Sequence, residues 1–368
     1  MKVLFFLTNI SNRGGTERTC FLVCNELAKN GFDVHLFGIA GDVDKPAYPI
    51  SEMVKLKVVD GDYRGLMLLM HLPMLIFKLR SYLKTHGIDR LVSVEVMSCL
   101  FTLPLILFQN KGKRKLKFIV WEHFNYTVDL GLKLRRYFRK VSASRADAVV
   151  TLTLKDKEMW ENHLSPKAKI ISINNPSPFP IEDNVYSSTS RNIIAVGRLT
   201  YQKGYDILLE SWNLVQKKFN FLNEEWNLFI IGDGEDKIKL EVLVKEFKLE
   251  KSVHLIANTD NIASYYKDAS FLCMSSRYEG LPMVLIEAQS YGLPIVAFDC
   301  LTGPAEIVTD ASGILCPALD SQKLADSIIE MTRNVEVRIE MSKKAKALAS
   351  RFAAPKIFNQ WKTMLESL

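Results

Sequence analysis

The feature that most constrains the fold of this chain is its alternation of short apolar segments with segments of helical periodicity. Residues 3–8 and 33–39 are apolar runs rich in branched and aromatic side chains, which favour β-strands. Between them, residues 16–30 carry apolar side chains at helical spacing, and Gly31 is a natural helix stop. Because strands that are apolar throughout are buried on both faces, this pattern predicts a parallel sheet between two layers of helices.

The same alternation continues along the chain. Further strands are predicted at residues 90–94, 117–121, 148–152, 192–196, 227–231, 252–256, 271–274 and 294–298. Helices are predicted at residues 236–247, at 282–291 and from Ser321 onward, with breaks near Asn334 and Pro355. The N-terminal apolar run is short and lacks a small-residue cleavage site, so we interpret it as a buried first strand and not as a signal peptide.

The alternation is interrupted near residues 174–190. The proline-rich stretch from Asn175 to Pro180 cannot continue a helix or a central strand, and the polar residues 187–190 add a linker. We therefore expect an α/β protein with two doubly wound, Rossmann-like domains, at residues 1–175 and 176–350. Sheets of this kind bind ligands at the carboxyl ends of their strands, and paired domains bind them in the cleft between the domains.

Charge is distributed unevenly between the two halves. Residues 1–175 contain 27 Lys and Arg against 16 Asp and Glu, a net charge of +11, whereas the remainder carries −4. We expect the basic first half to bind an anionic partner, which could be nucleic acid, a membrane surface or a phosphorylated substrate. Nothing in the sequence resembles a nucleic-acid-binding module. The 48% of hydrophobic and 24% of charged residues exclude a mainly disordered or coiled-coil chain.

No membrane span or metal-binding cysteine pattern is predicted. The longest uncharged runs, residues 65–77 and 96–110, fall short of the roughly 20 apolar residues of a span, and each contains a proline. The six cysteines form neither a CxxC pair nor a zinc spacing, so we expect reduced, buried thiols in a reducing cytosol.

Three segments of the first half are candidates for contact with a membrane surface. Two of them are dense in positive charge, which an anionic bilayer attracts: Lys111, Lys113, Arg114, Lys115 and Lys117 form the first, and Lys133, Arg135, Arg136, Arg139 and Lys140 the second. The third, residues 66–77, is apolar, and it either dips into the membrane interface or forms an ordinary buried helix.

The strongest functional signal lies at residues 275–282, between a predicted strand and the helix that contains Glu287. Pro282 suits the first turn of that helix, whose free N–H groups and dipole favour an anion. Gly280 lets a ligand approach the backbone closely. Glu279 and Glu287 can accept hydrogen bonds from hydroxyls, as a sugar and a ribose would require. On spacing alone, a solvated or helix-capping carboxylate is the alternative for either glutamate.

Two cations follow the first predicted strand of the second half. Arg198 comes directly after Gly197, and Lys203 follows five residues later, before Gly204. Such a pair is a candidate clamp for a diphosphate, although an ordinary surface charge is the alternative for each. The Gly-Asp-Gly segment that begins at Gly232 is too short for the dinucleotide fingerprint and predicts a tight turn.

The first half offers two weaker signals. The Gly-Gly-Thr-Glu-Arg loop at residues 14–18 lacks the GxGxxG spacing, so it does not support nicotinamide binding, but Gly15 could present a backbone N–H to a phosphate. His123 follows another predicted strand. Its imidazole could hydrogen-bond a sugar hydroxyl or shuttle a proton, and a purely structural role is the alternative.

Together these motifs resemble those of the retaining family-four glycosyltransferases with the GT-B fold, a class with many bacterial polysaccharide and lipopolysaccharide assembly enzymes. The matching segments are residues 14–18, 197–198, 203–204, 232–234, 279–287, 292–297 and 303–307. Glu279 and Glu287 have the family's separation of seven intervening residues. The joint order and spacing of the motifs carry the resemblance, because each of them alone is weak.

The resemblance implies a donor site in the second half of the chain. Arg198 and Lys203 would neutralise the donor diphosphate, including the charge that grows on the leaving group. Glu279 would hold hydroxyls of the transferred sugar, and Glu287 would bind the nucleotide ribose. The remaining donor-binding positions implied there are Gly197, Gly232, Gly280 and Leu281.

The resemblance also assigns roles to the first half and to the chain end. His123 would lie near the reacting sugar, as a fourth catalytic residue besides Glu279, Arg198 and Lys203, and Gly15 would lie near the diphosphate across the cleft. Residues 351–368 would form a helix that packs back on the N-terminal domain. No cofactor or metal is expected, because the resemblance implies a family that needs no bound metal.

The activity implied is transfer of a hexose from a nucleotide diphosphate sugar to an acceptor hydroxyl with retention. The resemblance does not give the donor, for which we expect uridine with a hexose or N-acetylhexosamine rather than guanosine with mannose, and we expect the acceptor to be a saccharide. The basic first half favours a lipid-linked O-antigen, capsule or exopolysaccharide acceptor, and hence a cytoplasmic enzyme peripheral to the inner face of the membrane, with no nucleic-acid partner. Two alternatives remain: a nucleotide-sugar epimerase of the same architecture, and a non-catalytic nucleotide-sugar-binding protein.

Overall fold

The computed structural model describes residues 1–42, 45–59, 66–107, 116–181, 186–222 and 225–368. The chain forms two compact α/β units: Met1–Pro178 with Ala354–Leu368 make up the first, and Phe179–Ala353 the second. Each unit contains one sheet in which all described strand pairs are parallel. The α/β class predicted from the continuous apolar strands is confirmed. The boundaries predicted after residues 175 and 350 lie close to the points where the chain passes between the units.

The first unit is built on a seven-stranded sheet. Its strands are β1 (Lys2–Asn9), β2 (Asp33–Ala40), β3 (Lys55–Val58), β4 (Arg90–Val94), β5 (Lys117–Trp121), β6 (Ala148–Thr151) and β7 (Lys169–Ser172). Its helices up to this point of the chain are α1 (Gly15–Lys29), α2 (Leu66–His86), α3 (Cys99–Thr102), α4 (Pro104–Leu107), α5 (Lys133–Arg145) and α6 (Leu154–Leu164). The strand order is β3-β2-β1-β4-β5-β6-β7, so the direction of winding reverses between β1 and β4.

The second unit has a six-stranded sheet. Its strands are β8 (Asn192–Val196), β9 (Asn227–Ile231), β10 (Val253–Ile256), β11 (Phe271–Met274), β12 (Ile295–Asp299) and β13 (Gly313–Pro317). Its helices are α7 (Tyr205–Leu222), α8 (Lys237–Glu246), α9 (Ile262–Asp268), α10 (Met283–Ser290), α11 (Pro304–Ile307), α12 (Ser321–Arg333) and α13 (Val335–Ala349). The order β10-β9-β8-β11-β12-β13 reverses between β8 and β11.

Every strand segment predicted from the sequence is a strand, with ends that agree within one residue. The prediction missed β3, β7 and β13, and all three are edge strands of their sheets. β3 alternates lysine with apolar residues, and β13 begins with glycine and ends with proline. Edge strands are short and exposed on one side, so they lack the continuous apolar run that marks a central strand.

The last helix of the chain, α14 (Ala354–Glu366), belongs to the first unit. Trp361 is fully buried, with its ring centroid 4.6 Å from that of Trp121 and 5.9 Å from that of Phe5. Arg90 Nε also donates a hydrogen bond to the carbonyl of Leu365, at 3.1 Å. The end of the chain is therefore a core element of the unit that begins it.

Helix α2 has one buried and one exposed apolar face. Leu75 and Leu79 are fully packed in the core of the first unit, whereas Met70 and Phe77 are 68% and 70% exposed. Residues 66–77 therefore match only in part the ordinary buried helix that the sequence offered as an alternative to a membrane-interface segment. Within the described residues, no helix combines the length and the apolarity needed to cross a bilayer.

Candidate functional site

The residues with the strongest sequence signals meet where the sheet of the second unit reverses its winding. The loop after β8 carries Arg198 and Lys203, and the loop after the neighbouring strand β11 carries Glu279 and leads into α10. Loops that follow two such strands diverge to opposite faces of the sheet and leave a crevice at the carboxyl ends. Two segments more than seventy residues apart in the sequence thus share one sheet edge.

Hydrogen bonds to backbone carbonyls of the first loop hold the two loops together. Ser275 Oγ donates a hydrogen bond to the carbonyl of Lys203 at 2.9 Å, and the Arg277 N–H donates to the carbonyl of Gln202 at 2.8 Å. Gly204 has a positive φ of 64°, and a Cβ there would clash with the carbonyl oxygen of Ser275. A glycine is therefore required both by the turn and by the close approach of the second loop.

Lys203 and Glu279 form an ion pair at this edge. Lys203 Nζ lies 2.6 Å from Glu279 Oε1, and the two side chains are only 18% and 7% exposed. The hydroxyl of Thr302 donates to the backbone carbonyl of Glu279 at 2.6 Å, and Gln202 Nε2 donates to Tyr278 O at 3.1 Å. The cation predicted to face a diphosphate is thus paired with the carboxylate predicted to hold the sugar.

Arg198 is the second cation of the predicted clamp, and its side chain is exposed. It forms no ion pair with any residue that the structure describes. The backbone beside it is closely packed, because the Gly197 N–H donates to the carbonyl of Ile231, and a Cβ at Gly232 would clash with the carbonyl of Gly197. The backbones at the ends of β8 and β9 therefore approach each other without intervening side chains. The exposed guanidinium of Arg198 is available to bind an anion.

Helix α10 begins at this site. Pro282 is its N-cap, one residue before the first turn in which the sequence placed it. The amide nitrogens of Gly280 and Leu281 donate no hydrogen bond to the described part of the chain. A helix N-terminus with free N–H groups attracts negative charge. The positive dipole end of α10 and the exposed Arg198 together give this edge of the sheet a positive potential, because Lys203 is neutralised by Glu279.

Glu287 lies about one turn into α10 and is almost fully buried. Its Oε2 accepts a hydrogen bond of 2.8 Å from the hydroxyl of Tyr266, whose ring stacks on that of Tyr291 at a centroid distance of 5.2 Å. Phe179 packs edge-on against both rings. The carboxylate is therefore fixed in direction by an aromatic cluster, and its assignment to the ribose stays a prediction.

A second ion pair, which was not predicted from the sequence, supports the two loops. Arg277 forms two hydrogen bonds of 2.9 Å with the carboxylate of Asp206, and its guanidinium lies 4.0 Å from the ring centroid of Tyr201. Burial opposes ionisation of Asp206, but the hydrogen bonds and charge of Arg277 prevail and lower its pKa. Arg277 lies in the predicted segment 275–282, yet nothing in the sequence identifies its partner 71 residues away.

In the first unit, two loops at carboxyl ends of strands carry predicted site residues. Gly15 is exposed at the start of α1, and the preceding Gly14 carbonyl accepts a hydrogen bond from the Tyr48 hydroxyl at 3.2 Å. His123, after β5, is 8% exposed and packs on Trp121, with 4.5 Å between ring centroids. Burial lowers the pKa of His123 to about 3, so the imidazole is neutral at physiological pH.

The expectation that α5 presents all its cations to a surface is wrong for two of them. Arg135 and Arg139 are 4% and 1% exposed, and they pair with Glu95 at 2.6 Å and with Glu122 at 3.1 Å. Four cations of the other predicted basic segment lie outside the described residues: Lys111, Lys113, Arg114 and Lys115. Among the described side chains, no group of three or more His, Cys, Asp or Glu is arranged to hold a metal ion.

Comparison with known proteins identifies the family. The family model described as glycosyltransferase family 4 matches residues 13–176, and the one described as glycosyl transferases group 1 matches residues 181–348. An uncharacterised glycosyltransferase of Haemophilus influenzae is 32% identical over 372 residues, which cover 99% of each chain. The chain belongs to the family-four glycosyltransferases, with the GT-B fold.

Other relatives of this glycosyltransferase act in glycan assembly. The amylovoran biosynthesis glycosyltransferase AmsD of Erwinia amylovora is 29% identical, with 99% of each chain covered. The GalNAc-α-(1→4)-GalNAc-α-(1→3)-diNAcBac-PP-undecaprenol α-1,4-N-acetyl-D-galactosaminyltransferase of Campylobacter jejuni is 26% identical over 98% of this chain and 97% of its own. Sucrose-phosphate synthase of Thermosynechococcus elongatus has the same fold at 17% identity, with a TM-score of 0.84 and coverage of 100% and 98%.

Proposed function

We propose that this glycosyltransferase is a retaining enzyme that transfers a hexose or N-acetylhexosamine from a UDP-linked donor to a lipid-linked saccharide. Membership of the family identifies the activity as glycosyl transfer in glycan assembly. The donor, the stereochemistry and the acceptor are what we propose in addition. The observation that carries it is the meeting of Lys203, Glu279 and the N-terminus of α10 at one sheet edge. This arrangement offers positive charge to a diphosphate and a carboxylate to the hydroxyls of the attached sugar.

In the proposed mechanism, the donor diphosphate takes the place of Glu279 as the partner of Lys203. Arg198 and the free amides of Gly280 and Leu281 add positive potential, which stabilises the charge that grows on the leaving phosphate. The Glu279 carboxylate, released from Lys203, accepts hydrogen bonds from hydroxyls of the sugar, and Glu287 does the same for the ribose. Because these groups supply the positive field, we propose that transfer needs no metal ion.

Retention is proposed to follow from reaction on one face of the sugar. The bond from the anomeric carbon to the phosphate oxygen breaks, and the acceptor oxygen forms its bond on the same face. The acceptor proton passes to the departing phosphate, so no carboxylate nucleophile is required. His123 stays neutral across the physiological range, which supports a role as hydrogen-bonding partner of a sugar hydroxyl and not as a charged acid.

A surface at the start of α5 supports a lipid-linked acceptor and peripheral binding to an anionic bilayer. Leu132, Leu134 and Tyr137 are 48%, 44% and 58% exposed, and the exposed Lys133 and Lys140 lie among them. Apolar side chains interleaved with lysines suit the membrane interface, where each cation contributes about 1 kcal/mol near anionic lipid. The name of the Campylobacter relative gives an undecaprenol diphosphate-linked saccharide as its substrate.

The transferase proposal is tested with purified protein, UDP-hexoses, UDP-N-acetylhexosamines and GDP-mannose, each with a polyprenyl diphosphate-linked saccharide, in buffer with EDTA. We expect one UDP-sugar to be consumed, and nuclear magnetic resonance to show the donor's anomeric configuration in the product. An inverted product, or transfer only after a divalent metal is added, would contradict the mechanism. Incubation with donor alone should yield no epimer.

The membrane proposal is tested by flotation with vesicles of phosphatidylglycerol and phosphatidylcholine. We expect the wild type to float with the anionic vesicles and Tyr137→Asp to stay largely in solution. Ile238→Asp is the matched control, because Ile238 is 75% exposed on α8 of the second unit. Equal flotation of all three proteins, or none by the wild type, would contradict the assigned surface.

A further inference from the structure

The loop between β5 and α5 is held by a buried ion pair that the mechanism above does not use. The Glu122 side chain is fully buried, and one of its carboxylate oxygens accepts hydrogen bonds from the N–H of His123 at 3.0 Å and of Phe124 at 3.1 Å. The other oxygen accepts from Arg139 Nε at 3.1 Å. One carboxylate thus fixes the backbone of His123 and ties it to α5.

Arg139 extends this hold to the far end of the loop. Its two terminal nitrogens donate to the carbonyl of Tyr126 at 2.6 Å and to that of Val128 at 2.7 Å. The planar guanidinium therefore binds three acceptors in fixed directions, which a lysine ammonium could not reproduce. Both ends of residues 122–128 are attached to the same side chain.

A second arginine of α5, Arg135, supports the same loop and links it to the residue that follows β4. The guanidinium of Arg135 lies 4.5 Å from the ring centroid of Phe124 and 2.6 Å from the carboxylate of Glu95. Glu95 has φ 67° and ψ 141°, a conformation that is costly for any residue with a side chain. The surrounding contacts hold this strained residue in place, so the loop is anchored at more points than a surface turn needs.

These anchors determine where the imidazole of His123 lies. Its ring packs on Trp121, which in turn packs on Trp361 of α14. His123 Nε2 is buried and has no hydrogen-bond partner among the described residues. A buried polar atom without a partner is uncommon, and it is expected where a ligand completes the site.

A buried ion pair is a poor device for stability alone, because well-packed apolar residues of similar volume stabilise a core equally well. A buried ion pair does, however, orient the groups that it joins, since each of its hydrogen bonds fixes an angle as well as a distance. We propose that Glu122 and Arg139 are positioning residues that hold His123 in the orientation needed for sugar transfer. This inference rests on the proposed function, in which His123 binds a hydroxyl of the reacting sugar.

The kinetic test compares Glu122→Gln, His123→Ala and the double variant. We expect Glu122→Gln to lower kcat at least tenfold with a donor KM within twofold of wild type, because Glu122 belongs to the first unit and the carboxylates and cations proposed to bind the donor belong to the second. In the His123→Ala background, the same substitution should change kcat less than twofold, since residues that act through one group are not additive. The proposal would be overturned if the losses of kcat in Glu122→Gln and His123→Ala multiplied in the double variant. It would also be overturned if the donor KM of Glu122→Gln rose as much as its kcat fell.

Asp147→Asn is the matched control. Asp147 accepts a hydrogen bond of 2.8 Å from the Phe118 N–H at the opposite end of β5, so it tests damage to the same strand away from the loop. We expect its kcat to stay within twofold of wild type. Should Glu122→Gln fail to fold, Arg139→Lys keeps the charge but loses the fork geometry, and it should show the same dependence on His123.

A readout independent of activity separates this inference from the proposed function. In protein labelled with ¹⁵N-histidine, the ring resonances of His123 are assigned by their loss in His123→Ala. We expect them to shift or broaden in Glu122→Gln and Arg139→Lys and to stay unchanged in Asp147→Asn. Unchanged resonances in the first two variants would overturn the positioning role even if the wild type transfers sugar, whereas absence of transfer with shifted resonances would overturn only the proposed function.

Discussion

Replacement of Glu279 by glutamine removes the charge that pairs with Lys203 and leaves the shape of the site almost unchanged. At an effective dielectric constant of about 20, opposite unit charges 2.6 Å apart attract each other by about 6 kcal/mol. In the wild type, UDP must replace Glu279 as the partner of Lys203, and its diphosphate recovers most of this energy because the ammonium exchanges one anion for another. In Glu279→Gln there is no carboxylate to replace. We therefore expect the free energy of UDP binding to be more favourable by about 1.4 kcal/mol, so that Glu279→Gln binds UDP about tenfold more tightly than the wild type does.

The same substitution should have the opposite effect on catalysis. If Glu279 holds sugar hydroxyls, its loss should lower transfer by about 100-fold while UDP binding improves. Isothermal titration calorimetry with UDP and a transfer assay measure the two effects, with Glu241→Gln on the exposed side of α8 as a control. Equal or weaker UDP binding by Glu279→Gln would refute the view that Lys203 must leave this carboxylate to bind the donor.

Three further predictions concern the supports of the site. Asp206→Asn leaves Arg277 without its ion-pair partner, so urea titration should show a loss of about 1–3 kcal/mol in the free energy of unfolding. Calorimetry should show weaker UDP binding, whereas Lys239→Ala should change neither quantity. Burial lowers the pKa of His123 from 6.5 to about 3 in the folded state. The contribution of this residue to stability is therefore present above pH 6.5 and lost on acidification. Between pH 7 and pH 4.5, the free energy of unfolding of the wild type should fall by about 3 kcal/mol relative to that of His123→Asn. Trp361→Ala should destabilise the protein by about 3–5 kcal/mol in thermal unfolding, and an unchanged melting temperature would contradict the burial of α14.

The sequence was sufficient to predict the central strands and the segments that carry the donor site. Central strands are buried on both faces, so their apolar runs are continuous, as in residues 3–8 of β1. Glu279 and Arg198 were found because they follow such strands, and the carboxyl ends of parallel strands gather at one edge of a sheet. Edge strands such as β3 gave no comparable signal.

The pairing of charges could not be predicted in the same way. Lys203 and Glu279 are 76 residues apart, and the register of β8 against β11 decides that they meet. Clustered cations in α5 were interpreted as a surface, yet Arg135 and Arg139 are four residues apart and share the buried helix face with Phe138. That spacing was the available signal, and the carboxylates that satisfy the two arginines follow β4 and β5 elsewhere in the chain.

Hydrogen–deuterium exchange of the full chain with saturating UDP tests the location of the donor site most directly. We expect slower exchange in peptides that cover residues 197–205 and 275–290, where Arg198, Lys203 and the first turn of α10 would contact the nucleotide. Bound UDP that leaves exchange in both segments unchanged would contradict the account.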